Sequence, residues 1–224
     1  MDYFNVGITQ LPDTYSLIPY LPPIQEKHLR GMCVAETIAT IIDFKQYKRE
    51  HNRNYGHPFS IYNDRMSPWY IHNQRKGRYS SDPKKRKGMY PKDALEIVRQ
   101  NGICPERIHG PYHDIITEKI RNYAKKVRIS EYYQIRSMNE MKRSIFRYGP
   151  CLISFRIYNT DTSFPWIKRD RDKYLSGHSM AVVGWNKDSF IVRNTWGNKW
   201  QNNGYCHYPF SQWGLHKSIW VIKR

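Results

Sequence analysis

Three residues of this chain have the side-chain types and neighbours that acyl transfer through a covalent intermediate requires: Cys33, His178 and Asn194. A thiol attacks as thiolate, so a nucleophilic cysteine needs its ionisation eased. The unpaired N–H groups and dipole of a helix N-terminus supply part of that. Cys33 precedes a stretch, Val34 to about Tyr47, in which Val34, Ile38, Ile41, Ile42 and Lys45 recur at spacings of three and four. That spacing predicts an amphipathic helix with Cys33 at its start. Gly31, two residues earlier, lets backbone or substrate come close. On its own, a cysteine at a helix start reads first as a small buried residue.

The other end of the chain changes the balance. His178 follows Gly177 and opens the strand SMAVVGW; Asn194 closes the next strand, SFIVRN. Asn186-Lys187-Asp188 between them is turn-forming, so a hairpin is expected. A three-residue loop sets Trp185 against Ser189 and Asn194 against Met180, which places Asn194 and His178 on one face as diagonal neighbours. A two-residue loop puts them on opposite faces, so the inference depends on turn type. On one face, the imidazole can take the Cys33 proton while the Asn194 amide holds the ring.

These residues need a helix-bearing part and a strand-bearing part, and the chain divides that way. Residues 11–31 hold four prolines and read as an extended lead-in. Helices are expected at about 34–47, 68–74, 91–100 and 139–148, the last two stopping at Asn101-Gly102 and Gly149-Pro150. Strands are expected at 151–158, 179–185, 189–193, 204–208 and 218–223, where β-branched and aromatic residues gather. This segregation predicts an α+β protein, a single domain over 1–224 with a mainly helical lobe at 1–148 and a mainly β lobe at 149–224.

The 224 residues suffice for a real core, and 39% hydrophobic content excludes a disordered chain. Thirty-seven Lys and Arg against 19 Asp and Glu give a formal charge of +18, a field that draws an acidic partner or nucleic acid. The run DPKKRK at 82–87 reads first as an exposed loop, second as a nucleic-acid or nuclear-import patch. No stretch approaches the roughly 20 apolar residues of a membrane span, and no signal peptide is visible at Met1–Gln10. Cys33, Cys104, Cys151 and Cys206 lie far apart and read as free thiols, with a reducing, cytoplasmic setting expected. No HExxH, paired CxxC or GxxxxGK[ST] is present, so neither metal nor cofactor is expected.

RGMCVAETIAT resembles the active-site helix of the papain-like cysteine peptidases, GHSMAVVGW resembles their histidine strand, and VRNTWGNKWQNNGY resembles their Asn-Ser-Trp-Gly segment with Thr195 in place of Ser. Weaker likeness runs through LPDTYSL, MSPWYIHNQRKG, GMYPKDALEIVRQNGICPE and YGPCLISF, in the family's order. The spacing from Cys33 to His178 and Asn194 fits as well. The resemblance implies a two-lobe fold with a cleft, a polypeptide substrate, Cys33 as nucleophile, His178 as base and then acid, Asn194 as the residue that orients His178, and Trp196 as a shield over that contact. It makes Gly88 a candidate for binding substrate backbone, though a turn glycine is an equal reading. The family's oxyanion glutamine falls at Lys27, with Gln25 two residues earlier and preferred here. The family's aromatic after the nucleophile is Val34, and its neighbouring half-cystine is missing. Those departures fit a cytosolic or virus-encoded relative, restrained by something other than a propeptide. The alternative on the same fold is a catalytically silent structural or nucleic-acid-associated basic protein.

Overall fold

The computed structural model describes residues 10–26, 31–50, 65–75, 88–111, 113, 115–159 and 164–224. Lys27 and the basic run at 82–87 lie outside the described residues.

Among the described residues five α-helices form: α1 (Cys33–Glu50), α2 (Pro68–His72), α3 (Pro91–Asn101), α4 (Glu118–Ala124) and α5 (Met138–Tyr148). Their ends follow local chemistry. Ser137 and Glu140 make a reciprocal capping box at the start of α5, and Ser67 accepts from the Tyr70 N–H at the start of α2. α5 stops at Gly149, whose φ of 93° suits glycine and whose ideal Cβ would lie 2.3 Å from the Phe44 ring.

The strands are β1 (Tyr15–Ser16), β2 (Glu131–Gln134), β3 (Cys151–Ile157), β4 (Ser176–Trp185), β5 (Ser189–Arg193), β6 (Tyr205–Pro209) and β7 (His216–Lys223). They make one antiparallel sheet in the order β2-β7-β3-β4-β5-β6, with β1 added to the far end of β4. The sheet is not closed among the described strands. β1, β2 and α4 are additions to the elements expected from sequence.

Two apolar cores form among the described residues. One lies under the sheet and gathers Ile153, Phe155, Met180, Val182, Phe190 and Tyr208, with α5 and the lead-in residues Leu17 and Leu21. The other gathers Ile38, Ile41 and Ile42 of α1 with α2, α3 and the sheet residues Leu152 and Ile222. α1 is buried on nearly every side because it runs between the two.

The hairpin of β4 and β5 reaches the expected arrangement by another route. Asn186 Oδ1 accepts from the N–H groups of Asp188 and Ser189, and the Asn186 N–H donates to the Ser189 carbonyl, so the turn is tight and Trp185 pairs with Phe190. Kept along the strands, that register would set Asn194 on the face opposite His178. A β-bulge between Val182 and Gly184 shifts it by one, giving Val182↔Val192 and Ala181↔Arg193. Continued by one residue, Asn194 falls opposite Met180, on the face of His178.

Candidate active site

β5 pairs with β4 only as far as Ala181. Beyond it the backbone of Ser179 would be open, and α1 takes the place of a strand. Thr37 Oγ1 donates to the Ser179 carbonyl at 3.2 Å, and one turn earlier the Cys33 sulfur receives the Ser179 N–H. The thiol therefore sits half-buried at the first position of α1, against the residue that follows His178. Burial is the largest influence on it and pushes its pKa up to about 11. The N–H groups of Ser179, Val34 and Cys33 act in the opposite sense, and the Glu36 charge adds to the rise. An isolated thiol in this setting stays protonated at neutral pH.

His178 is 4% exposed, and its Nε2 lies 2.6 Å from Asn194 Oδ1. That oxygen also accepts the Thr195 N–H at 2.8 Å, which orients the amide with its oxygen toward the imidazole, so His178 Nε2 donates. The Asn194 backbone is pinned in turn by its N–H to the Gly204 carbonyl. Aromatic rings close around the contact. Trp196 lies 4.6 Å from the His178 ring, Trp166 meets both at 5.8 and 5.3 Å, and Trp200 meets Trp196 edge-on. Such a wall keeps water from competing for the His–Asn bond.

Gln25 is exposed and lies on the same side. Buried Arg193, the neighbour of Asn194, donates to the Pro22 and Pro23 carbonyls at 2.5 and 3.1 Å and so fastens the lead-in beside the site. Gln25, Thr37, Asp43, Arg193, Asn194 and Thr195 border one cavity of about 40 Å³. Asn194 Nδ2 and Thr195 Oγ1 have no protein partner among the described residues, and a cavity of this size has room for water beside them. Asp43, fully buried on α1, accepts the Met66 N–H at 2.8 Å and lies 3.9 Å from Arg65. Burial nevertheless pushes its pKa up to about 7. Gly88 passes beside Gly31, with its ideal Cβ 3.7 Å from the Gly31 carbonyl. Among the described residues no cluster of His, Cys, Asp and Glu could hold a metal ion, and no helix is long and apolar enough to cross a membrane.

Comparison with known proteins fits this geometry. The profile described as papain family cysteine protease matches residues 80–214, more than half of the chain. The chain belongs to the papain family of cysteine proteases. An uncharacterised peptidase C1-like protein of Acanthamoeba polyphaga mimivirus is 25% identical over 245 aligned positions, covering 97% of this chain and 74% of the viral one. A viral cathepsin of Heliothis zea nuclear polyhedrosis virus is 27% identical over 117 residues, covering 49% of this chain and 32% of that protein. Among solved structures, the cysteine protease xylellain from Xylella fastidiosa superimposes with a TM-score of 0.73 at 24% identity, over 96% of this chain and 87% of its own. The papain-like α+β fold expected from sequence is thereby found.

Sequence reasoning missed Trp166 and Ser179. Trp166 sits in a stretch without periodicity, and its contact with His178 is a matter of tertiary packing. Ser179 acts through its backbone N–H and carbonyl, which every residue type but proline carries, so no sequence signal could have singled it out.

Proposed function

We propose that this family member is an active cysteine endopeptidase of a single domain, with Cys33 as nucleophile, His178 as general base and acid, and Asn194 as the positioning residue for His178. The observation that carries the reading is the 2.6 Å contact between His178 Nε2 and Asn194 Oδ1, with the Cys33 sulfur one residue away against the Ser179 N–H. The Cys33 proton passes to His178, leaving thiolate and imidazolium. The sulfur attacks the scissile carbonyl, and a C–S bond forms as the carbonyl electrons move to oxygen. The oxyanion receives the Cys33 N–H and the Gln25 amide; one such donor is worth ~3 kcal/mol in the transition state. Collapse of the tetrahedral species breaks the C–N bond, and His178 protonates the departing amine. Water, deprotonated by His178, then cleaves the thioester and restores the thiol. Asn194 Oδ1 holds the imidazole and favours its protonated form throughout.

The substrate is polypeptide. The charge of +18 supports attraction of an acidic partner or nucleic acid, and four free cysteines support a reducing, cytoplasmic setting. Digestion of a peptide library, together with labelling by a peptidyl fluoromethyl ketone, tests the assignment. Wild type cleaves and labels, and Cys33→Ala does neither. A wild-type protein that leaves the library intact and takes no label refutes the peptidase reading in favour of a silent scaffold.

A further inference from the structure

The second half of α1, the end of α5 and the end of β7 gather cations around Tyr148, and the chemistry above uses none of them. Lys45 Nζ donates to the Tyr148 carbonyl at 2.5 Å. The Tyr148 ring is faced by the Lys223 amine at 5.3 Å and by the Arg147 guanidinium at 5.4 Å. Lys223 also lies 4.6 Å from the Tyr133 ring, and Arg224 donates to Oε1 of Gln46, the neighbour of Lys45. An ammonium has three donors, and among the described residues half-buried Lys45 uses one of them, on Tyr148. Burial holds its pKa down to about 8; the Cys151 thiol opposes this, while Lys48 and Arg224 add to it. Glu131, the carboxylate beside this group, is taken up by Lys223 at 3.5 Å and by the Tyr133 hydroxyl. Among the described residues neither Lys45 nor Arg147 has a salt bridge, and Arg147 is exposed.

We propose that this end of the molecule binds the phosphate backbone of duplex nucleic acid without reading its sequence. The binding goes beyond the peptidase reading and does not depend on it. Lys45 stands twelve residues along α1 from Cys33, ~18 Å at 1.5 Å per residue. His216, at the start of β7, pairs with Phe155, and Phe155 pairs with His178; Lys223 lies seven residues farther, ~23 Å away. A polyanion held here leaves the thiol clear. The chemistry of the cluster selects the occupant. The exposed Arg147 guanidinium offers its fork of N–H groups to phosphate oxygens, and the Lys45 ammonium gains an anion for its other donors. A duplex carries one charge per ~1.7 Å of its axis, whereas an extended acidic peptide brings side chains to one face only every ~6.6 Å. Cations set this closely fit the denser array. Lys223 and Arg147 cover the Tyr148 ring, which is then closed to base stacking, so the contact is with the backbone. No exposed large apolar side chain among the described residues lies on α5, the second half of α1 or β7, so a membrane gains nothing to bury here.

Fluorescence anisotropy of a labelled, random-sequence DNA duplex of about 20 base pairs, titrated with the full-length protein, tests this. Wild type and Cys33→Ala should bind equally, in the micromolar range, with affinity falling steeply as salt rises. Arg147→Glu combined with Lys223→Glu should weaken binding at least about tenfold at 0.1 M salt. It should also make the log–log salt slope shallower by about 2, since each lost phosphate contact removes ~0.9. Arg147→Gln alone, a mild change at an exposed position, should remove about 0.9 from the slope and keeps the test open if the double variant does not fold. Lys92→Glu combined with Lys119→Glu, at exposed positions of α3 and α4, changes net charge as much as the first pair and should retain most of the affinity. No binding by wild type, an equal loss in the two double variants, or equal competition by poly-glutamate or by phosphatidylserine vesicles overturns the proposal.

Discussion

Two acids on α1 invite comparison, Cys33 at its first position and Asp43 farther along. Burial pushes both upward, to about 11 and about 7. They differ in what faces them. The thiol meets backbone N–H groups, with an imidazole carried by the adjoining residue of β4. The carboxyl meets the Met66 N–H, the charges of Arg65 and Arg193, and the opposing charge of Glu106. A guanidinium accepts no proton, so Asp43 can be stabilised as an anion but has nothing to exchange with. On the proposed reading, desolvation alone does not make a catalytic group; the neighbour that can take the proton does.

The largest effect should come from removing the sulfur. Cys33→Ala should lower hydrolysis by at least ~10⁴-fold in a peptide-cleavage assay without loss of fold. The same kind of change at the other acid should act on stability. Asp43 is protonated more readily folded than unfolded, so wild type loses stability as pH rises from 3.8 to about 7, by up to about 4 kcal/mol, and Asp43→Asn should lack that loss. Denaturant titrations of both proteins at pH 4 and pH 7.5 check this; parallel behaviour would contradict it. Asn194→Ala should lower kcat by about 10²-fold with little change in KM, since it disturbs a proton carrier and not a substrate contact. Thr37→Val should be the mildest, costing about 1 kcal/mol in thermal unfolding through the lost bond to Ser179.

The two sides of the site also differed in how far they could be read from sequence. Helix α1 was legible because its apolar spacing and the cysteine before it are local properties. The strands of His178 and Asn194 were legible for the same reason, yet their relative register was not. The turn sequence leaves the loop length open, and the deciding bulge near Val183 is a long-range accommodation with no composition of its own. Gln25 could be named but its surroundings could not, since they depend on Arg193 reaching two proline carbonyls far away in the chain. β2 and β1 escaped notice because EYYQ and YS are too short to show a period, and they form only because β7 and β4 offer open edges.

The central claim is that Cys33 obtains its thiolate from His178 and not from its own surroundings. Alkylation by iodoacetamide as a function of pH tests it directly. Cys104 and Cys151 are buried, with pKa pushed up to about 12, and Cys206 is buried and raised as well, so the reaction reads Cys33. A thiol ionising at about 11 is thiolate in roughly one molecule in 10⁴ at pH 7. Wild type should therefore react at pH 7 about a thousandfold faster than His178→Ala, whose rate should climb steadily toward pH 11. Equal rates and the same pH profile in the two proteins would contradict the account.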